Sequence, residues 1–204
     1  MTITLKDATE MLAKLKDKDL ADGRDPLSWW TYENHVLGAA LVAKTIASKI
    51  KGMDKNKAYI SALLHDICRT HEARLKRFHG ILGYEKLINL DAEVARQSLL
   101  HMFPLNEIPP YEECKSLFFN KKQDYDFVLN FVNNTQLTPM DMLIQLSDSL
   151  ANKYGFVTLE GRAKELSERK GITIPQEMML PRYKLKAYFD EKVGVDIYTL
   201  FTGK

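Results

Sequence analysis

Cysteine is scarce in this chain of 204 residues, where only Cys68 and Cys114 are present. Two cysteines are too few for the disulfide framework of a small secreted domain, and they do not form the Cys-x-x-Cys pair of a zinc ribbon. Cys68 could ligate a metal ion, but we favour a small buried thiol. A chain of this length can bury a core without disulfides or a structural metal, so we expect any metal site to be functional.

Long apolar runs and an excess of one charge are also missing. The chain has no stretch of about 18 apolar residues, and residues 1–7 do not combine a basic segment with an apolar one. The 29 lysines and arginines nearly balance the 27 aspartates and glutamates. No global field therefore favours duplex nucleic acid or an anionic membrane. We expect a soluble, cytoplasmic protein with neither as a partner, and the oligomeric state stays open.

Alternation of apolar and polar residues, which is typical of strands, is rare as well. Instead, segments with apolar residues at three- and four-residue spacing follow one another, and this predicts an all-α protein forming a single domain over 1–204. We predict helices over residues 5–20, 36–50, 55–68, from 79 onward, 92–101, from 139 onward, 162–169, 178–189 and within 193–201. The last of these belong to a helical C-terminal extension, 156–204.

Residues 104–137 differ from the rest, because three prolines precede aromatic-rich pieces. This composition indicates an insertion with one or two short helices. It could lie over a site as a lid or pocket wall, its aromatic rings could stack a base, or it could simply fill the core. The aromatic residues concerned are Phe118, Phe119, Tyr125, Phe127 and Phe131.

Two strong metal ligands, His65 and Asp66, stand side by side at the polar end of an otherwise apolar helical segment. The preceding helix connects to this one through a short loop, so the two should be antiparallel, and His35 can then meet His65. Asp148 falls on an apolar helix face, where a carboxylate needs a partner and a cation would supply one. His71 lies neither at a predicted helix end nor beside an acidic partner, and we predict that it is a surface residue.

The order His35, His65-Asp66 and Asp148 resembles the HD superfamily of metal-dependent phosphohydrolases, whose motif is a histidine, a His-Asp doublet and a distant aspartate on separate helices. The likeness covers residues 28–155 and implies an HD-type helical bundle. His79, in His79-Gly80-x-x-Gly83, and His101 resemble the extra histidines of members with two metal ions. The segment after His101 lacks a polar residue often found there, which leaves substrate choice open.

The resemblance implies two divalent ions, with His35, His65, Asp66 and Asp148 holding one. Asp66 would bridge to the second, held also by His79 and His101. Imidazoles mixed with carboxylates suit Mn, Fe, Co, Ni or Zn. The expected reaction is hydrolysis of a phosphate ester of a nucleotide or similar small phosphorylated molecule by a metal-bound hydroxide.

Basic residues near the doublet are candidates for binding the substrate's phosphate. Arg69 lies one helical turn after His65, on the same face, and its forked guanidinium suits two phosphate oxygens, so we predict a catalytic role beside Asp66. Lys76 and Arg77 lie between two predicted ligands and are expected to bind substrate.

Two other functions fit the same residues. A mononuclear nucleotidase would use only the first four ligands, with His79 and His101 lining the pocket. A non-catalytic nucleotide-sensing module would use the ions to hold its helices together. A nuclease acting on RNA is disfavoured, because no basic stripe with interleaved aromatic residues extends beyond the site.

Overall fold

Helices dominate the structure, a computed structural model that describes residues 2–115, 119, 121–171 and 174–202. The helices are α1 (Leu5–Ala21), α2 (Pro26–Ala47), α3 (Lys55–Leu64), α4 (Glu72–Leu75), α5 (His79–Leu87), α6 (Ala92–Leu100), α7 (Tyr111–Cys114), α8 (Lys122–Asn133), α9 (Pro139–Ser149), α10 (Leu159–Lys170) and α11 (Gln176–Val193). The strands β1 (Ala151–Asn152) and β2 (Gly155–Phe156) pair antiparallel. The predicted all-α class is confirmed. In the described ranges, no helix is long and apolar enough to cross a membrane.

The helix α2 runs through the centre of the fold. It begins earlier than predicted, at Pro26, because the Asp25 carboxylate accepts a hydrogen bond from the Ser28 backbone N–H at 2.7 Å and proline suits the first helical position. Its small and branched side chains are buried, and they include Val36, Ala39, Ala40, Ala43 and Ile46. Gly38 lets the β1–β2 pair approach α2 closely, since a Cβ at this position would lie 3.3 Å from Gly155 Cα.

The helix α3 packs on α2 and ends at Leu64, before the predicted end at residue 68. A tighter turn follows, in which the Arg69 backbone N–H donates to the Asp66 carbonyl oxygen at 2.7 Å, and a 3-10 turn spans Arg69–His71. The side chains of His65 and Asp66 therefore leave the backbone just where the regular helix stops.

A close contact between α5 and α6 depends on Gly83. A Cβ at this position would lie 2.1 Å from the Ser98 hydroxyl oxygen. That hydroxyl donates a hydrogen bond of 2.8 Å to the backbone carbonyl of His65, and Ser98 is fully buried. Gly83 thus makes room for the side chain that joins α6 to the end of α3.

The described part of the 104–137 segment forms a second hydrophobic cluster with α5 and α6. Its aromatic residues Phe119 and Tyr125 pack with Phe78 and Phe103, and the Phe78 ring also lies 4.8 Å from the His79 ring, centre to centre. Phe118 lies outside the described residues. The segment therefore packs beside His79, and its role as a lid or pocket wall stays a prediction.

The C-terminal helices are joined to the main core. Leu185 and Phe189 of α11 and Ile197 of the final 3-10 turn (Ile197–Leu200) are completely buried in it. The helix α11 packs on α9, which starts with the predicted Thr138 cap followed by Pro139. The end of α9 that carries Asp148 is therefore close to α11.

Candidate metal centre

All six side chains predicted to be metal ligands come together in one place. They come from the middle of α2 (His35), the residue after α3 (His65), the following turn (Asp66), the first residue of α5 (His79), the residue after α6 (His101) and the last turn of α9 (Asp148). His65, His79 and His101 are each 1% exposed. Three of the four imidazoles are thus almost completely removed from water.

One half of the cluster surrounds the Asp148 carboxylate. The Oδ1 atom of Asp148 lies 3.0 Å from His35 Nε2 and 3.6 Å from His65 Nε2. The rings of His35 and His65 lie 5.4 Å apart, centre to centre. The antiparallel arrangement of α2 and α3 therefore brings these two histidines together, as the short connecting loop predicted.

The other half of the cluster surrounds one oxygen of Asp66. Its Oδ1 atom lies 3.0 Å from His79 Nε2 and 3.2 Å from His101 Nε2. Its Oδ2 atom faces the first half instead, 3.7 Å from His65 Nε2 and 4.0 Å from His35 Nε2. The Asp66 carboxylate therefore stands between two histidine groups and turns one oxygen toward each.

Hydrogen bonds to the backbone orient two of these rings. The Nδ1–H of His65 donates to the Ala62 carbonyl oxygen at 2.6 Å, and that of His101 donates to the Ser98 carbonyl oxygen at 2.8 Å. A carbonyl oxygen can only accept, so the proton of the neutral ring is on Nδ1 and the Nε2 lone pair points into the cluster. This is the tautomer that a metal ligand requires.

The donor set fits a divalent cation better than it fits hydrogen bonding. Although His65 Nε2 and Asp66 Oδ1 are buried, neither has a hydrogen-bond partner of correct geometry in the described part of the chain. Two groups of residues each bring three donor atoms within 4.8 Å of one another. The first group is His35, His65 and Asp148, and the second is His65, Asp66 and His101. These groups could hold a metal ion, since a cation would satisfy lone pairs that protein donors do not.

The charges of the cluster keep its acids ionised. Burial opposes ionisation of Asp66, but His65 and His79 hold the pKa of its carboxyl well below the usual value. The pKa of Asp148 is likewise raised by burial but held well below its usual value by His35 and His65. Burial lowers the pKa of His65, yet Asp66 and Asp148 outweigh it and raise that pKa to about 9. Without metal, a proton on His65 therefore takes part of the cation's place.

Protons and metal ions should compete for this centre. A His65 pKa raised from 6.5 to about 9 stabilises the metal-free fold below pH 6.5, and this contribution is lost as the pH rises through about 9. We expect the increase in Tm caused by Mn²⁺ to grow between pH 6.5 and 9, with release of roughly one proton per chain near neutral pH. Calorimetry in buffers of different ionisation enthalpy measures the release, and binding without proton uptake or release would contradict the competition.

The structure places Arg69 at the edge of the cluster. Its Nη1 atom lies 3.0 Å from His79 Nδ1 and donates to Glu72 Oε2 at 3.0 Å, and 44% of its side chain is exposed. Glu72 Oε2 also lies 3.3 Å from His79 Nδ1. Glu72 was not predicted as a site residue, and its sequence position, seven residues before His79, carries no metal-binding signal.

Lys76 and Arg77 are not drawn into the cluster by any hydrogen bond or ion pair of the described residues. Arg77 forms two hydrogen bonds of 2.9 Å with the Glu85 carboxylate and lies 3.6 Å from Asp124. Lys76 ends α4 in a left-handed conformation, with φ 49°, and is exposed. Substrate binding by these two residues stays a prediction.

His71, predicted to be a surface residue, is partly exposed and lies outside the cluster, but it has an acidic partner that was not predicted. Its Nε2 atom lies 3.3 Å from Asp19 Oδ1, and Asp19 is only 5% exposed. The two residues are 52 positions apart, so their contact depends on the packing of α1 against the turn after α3. No local pattern could have shown it.

The structure is that of an all-α protein in which separate helices collect a buried cluster of imidazoles and carboxylates that could hold a metal ion. The family model of the HD domain matches residues 32–153, and the chain belongs to this family. The matched segment contains all six cluster residues and ends before α10 and α11. Neither a curated protein nor a solved structure gives a significant match to the chain.

Proposed function

We propose that the protein hydrolyses a phosphate ester of a nucleotide or a similar small phosphorylated molecule with the help of two divalent metal ions. The division of the Asp66 carboxylate carries the proposal, because Oδ2 faces His35 and His65 while Oδ1 faces His79 and His101. A carboxylate with one oxygen toward each of two nitrogen groups suits a bridging ligand. The HD family membership supports the reaction class.

The metal ions, when bound, would lower the pKa of a bound water toward neutrality and neutralise charge on the phosphate oxygens. The chain's own contribution is to fix the ligand geometry and exclude bulk water. The backbone bonds of His65 and His101 hold their Nε2 lone pairs toward the centre. The surrounding burial strengthens every charge interaction in the site.

The role we propose for Arg69 depends on the protonation of His79. If His79 Nε2 uses its lone pair for a metal ion, its Nδ1 carries the proton and can only donate, and Glu72 is the acceptor within reach, at 3.3 Å. Arg69 then keeps its bond to Glu72 but no longer donates to His79. The remaining N–H groups of its half-exposed guanidinium are free to bind phosphate oxygens.

Glu72 should therefore orient His79, and Glu72→Gln should weaken metal binding at that half of the centre. We expect a loss of roughly 10- to 100-fold in affinity for the more weakly held ion, as for other partners of metal-bound histidines. Mn²⁺ titration followed by electron paramagnetic resonance measures this. Glu112→Gln, which changes an exposed glutamate paired with Lys115, is the matched control. Equal Mn²⁺ affinity in the Glu72→Gln protein and in wild type would refute the orienting role.

A mononuclear nucleotidase is the second candidate, because His35, His65 and Asp148 alone already bring three donor atoms within 4.8 Å of one another. Counting metal atoms per chain separates the two functions. Two equivalents support the two-ion centre, and one equivalent with full activity supports the mononuclear enzyme.

The experiment that tests the proposed function is a screen of the purified protein loaded with Mn, Fe, Co, Ni or Zn. The substrates are phosphomonoesters, cyclic and linear diesters, and dinucleoside polyphosphates. We expect metal-dependent turnover of at least one class. Tight nucleotide binding without turnover in any metal would contradict hydrolysis and support a sensing module.

A further inference from the structure

Arg182, in the C-terminal helix α11, lies outside the segment that matches the family, residues 32–153. Its Nε atom donates to the Ser149 hydroxyl at 3.2 Å, and its Nη1 atom donates to the Met178 carbonyl oxygen at 2.5 Å. Ser149 is buried and directly follows Asp148 in the chain. The guanidinium group is therefore held at the end of α9 that delivers Asp148 to the metal centre.

This arginine lacks the carboxylate partner that most other arginines have. Arg69, Arg77 and Arg162 each form an ion pair, whereas Arg182 has no carboxylate oxygen within 4.0 Å among the residues that the structure describes. A guanidinium group has five N–H donors. Two of them donate to protein acceptors, the Ser149 hydroxyl and the Met178 carbonyl oxygen.

Arg182 is half-buried, and a second cation, Arg162, acts on its charge. Burial lowers the pKa of its guanidinium, the Asp148 charge raises it, and the Arg162 charge lowers it. The hydrogen bond to Ser149, the residue after Asp148, is the contact that brings Arg182 to this end of α9. Since Asp148 would share its negative charge with a metal ion, the loaded centre would leave Arg182 without a compensating anion. A half-buried charge without a compensating anion is unfavourable, and binding of an anion would relieve it.

We infer that Arg182 binds a phosphate oxygen of the substrate, on the Asp148 side of the metal centre. This inference rests on the proposed phosphohydrolase function. The free N–H groups of a guanidinium match phosphate oxygens in geometry and charge. Arg69 lies beside His79, and Arg182 binds Ser149, the residue after Asp148, so the two arginines would serve opposite halves of the cluster. The C-terminal extension is therefore part of the active site.

A purely structural role would leave a different signature. In that case Arg182 would only fasten α11 to α9, and its replacement would lower Tm while phosphate affinity in the folded protein stayed the same. Arg182→Lys separates the roles further, because lysine keeps the positive charge but cannot form the forked contact.

The test measures binding of inorganic phosphate to the Mn²⁺-loaded protein by calorimetry, in wild type and in the variants Arg182→Gln and Arg182→Lys. Arg169→Gln is the matched control, since Arg169 is exposed on α10 and pairs with Glu165. We expect phosphate affinity to fall about tenfold or more in Arg182→Gln and less in Arg182→Lys. Metal content should stay equal in all four proteins, and the control should bind phosphate as wild type does.

Kinetics with the best substrate of the screen separate this inference from the proposed function. Arg182→Gln should raise KM together with the phosphate dissociation constant. An active wild type whose KM and phosphate affinity are unchanged in both Arg182 variants would overturn the inference and leave the hydrolase intact. An inactive wild type that loses phosphate affinity in the variants would instead support the anion site and contradict the hydrolase. Should Arg182→Gln not fold, the phosphate affinity of Arg182→Lys decides.

Discussion

Replacing Asp66 with alanine should remove metal from the centre and lower hydrolysis by at least about 10³-fold. The Asp66 carboxylate is the only side chain of the six that faces both histidine groups through separate oxygens. Its loss takes one ligand from each half and removes the charge that balances the cations. Metal analysis of the purified variant and turnover of the screened substrate measure the two effects.

Two further variants make the Asp66 result specific. Asp66→Asn keeps the shape of the side chain but removes its charge, and we expect it to lose most of the metal and activity as well. Asp126→Ala changes an exposed aspartate of α8 that pairs with Lys122, and should leave both unchanged. An active, metal-free Asp66→Ala protein would refute the assignment of the metal centre.

Replacing Gly83 with alanine should lower the free energy of unfolding by about 2–4 kcal/mol. In an open helix position the same change would raise stability by about 1 kcal/mol, so even the sign is informative. The added Cβ would lie 2.1 Å from Ser98 Oγ and force this hydroxyl away from the His65 carbonyl oxygen, which it now contacts at 2.8 Å. Metal affinity should fall too, because that bond fixes the end of α3. Urea denaturation measures the stability change.

The double variant Gly83→Ala/Ser98→Ala identifies the cause. Without the hydroxyl, the closest contact is gone, and the double variant should be at least as stable as Gly83→Ala alone. Ser98→Ala alone should cost only the lost hydrogen bond, about 1–3 kcal/mol. Additive effects of the two substitutions would contradict the steric explanation, since coupled neighbours should not add.

Much of the helical fold could be predicted because its signals are local. Apolar spacing showed the helices, and capping residues such as Asp91 and Thr138 stand where helices begin. The boundary errors have local causes as well. The Asp25 cap started α2 earlier than predicted, and a tight turn ended α3 at Leu64.

The residues around the metal ligands were harder to predict, because irregular chain segments and long-range packing bring them there. Glu72 is only seven residues before His79, but their contact depends on the irregular chain between α4 and α5. Arg182 reaches Ser149 at the end of α9 across 33 positions. The contact of His71 with Asp19 spans 52 positions. No spacing rule connects residues so far apart.

The sequence by itself determined the kinds of ligand, since the His65-Asp66 doublet and the resemblance to the HD superfamily indicated four histidines and two aspartates. Only the tertiary structure decided that one Asp66 oxygen faces each histidine group and that an arginine of α11 binds Ser149, the residue after Asp148. The physical reason is the short distance that ligation requires. Residue type fixes which atoms can bind a cation, whereas ligation needs those atoms within a few ångströms, and that distance depends on how the helices pack.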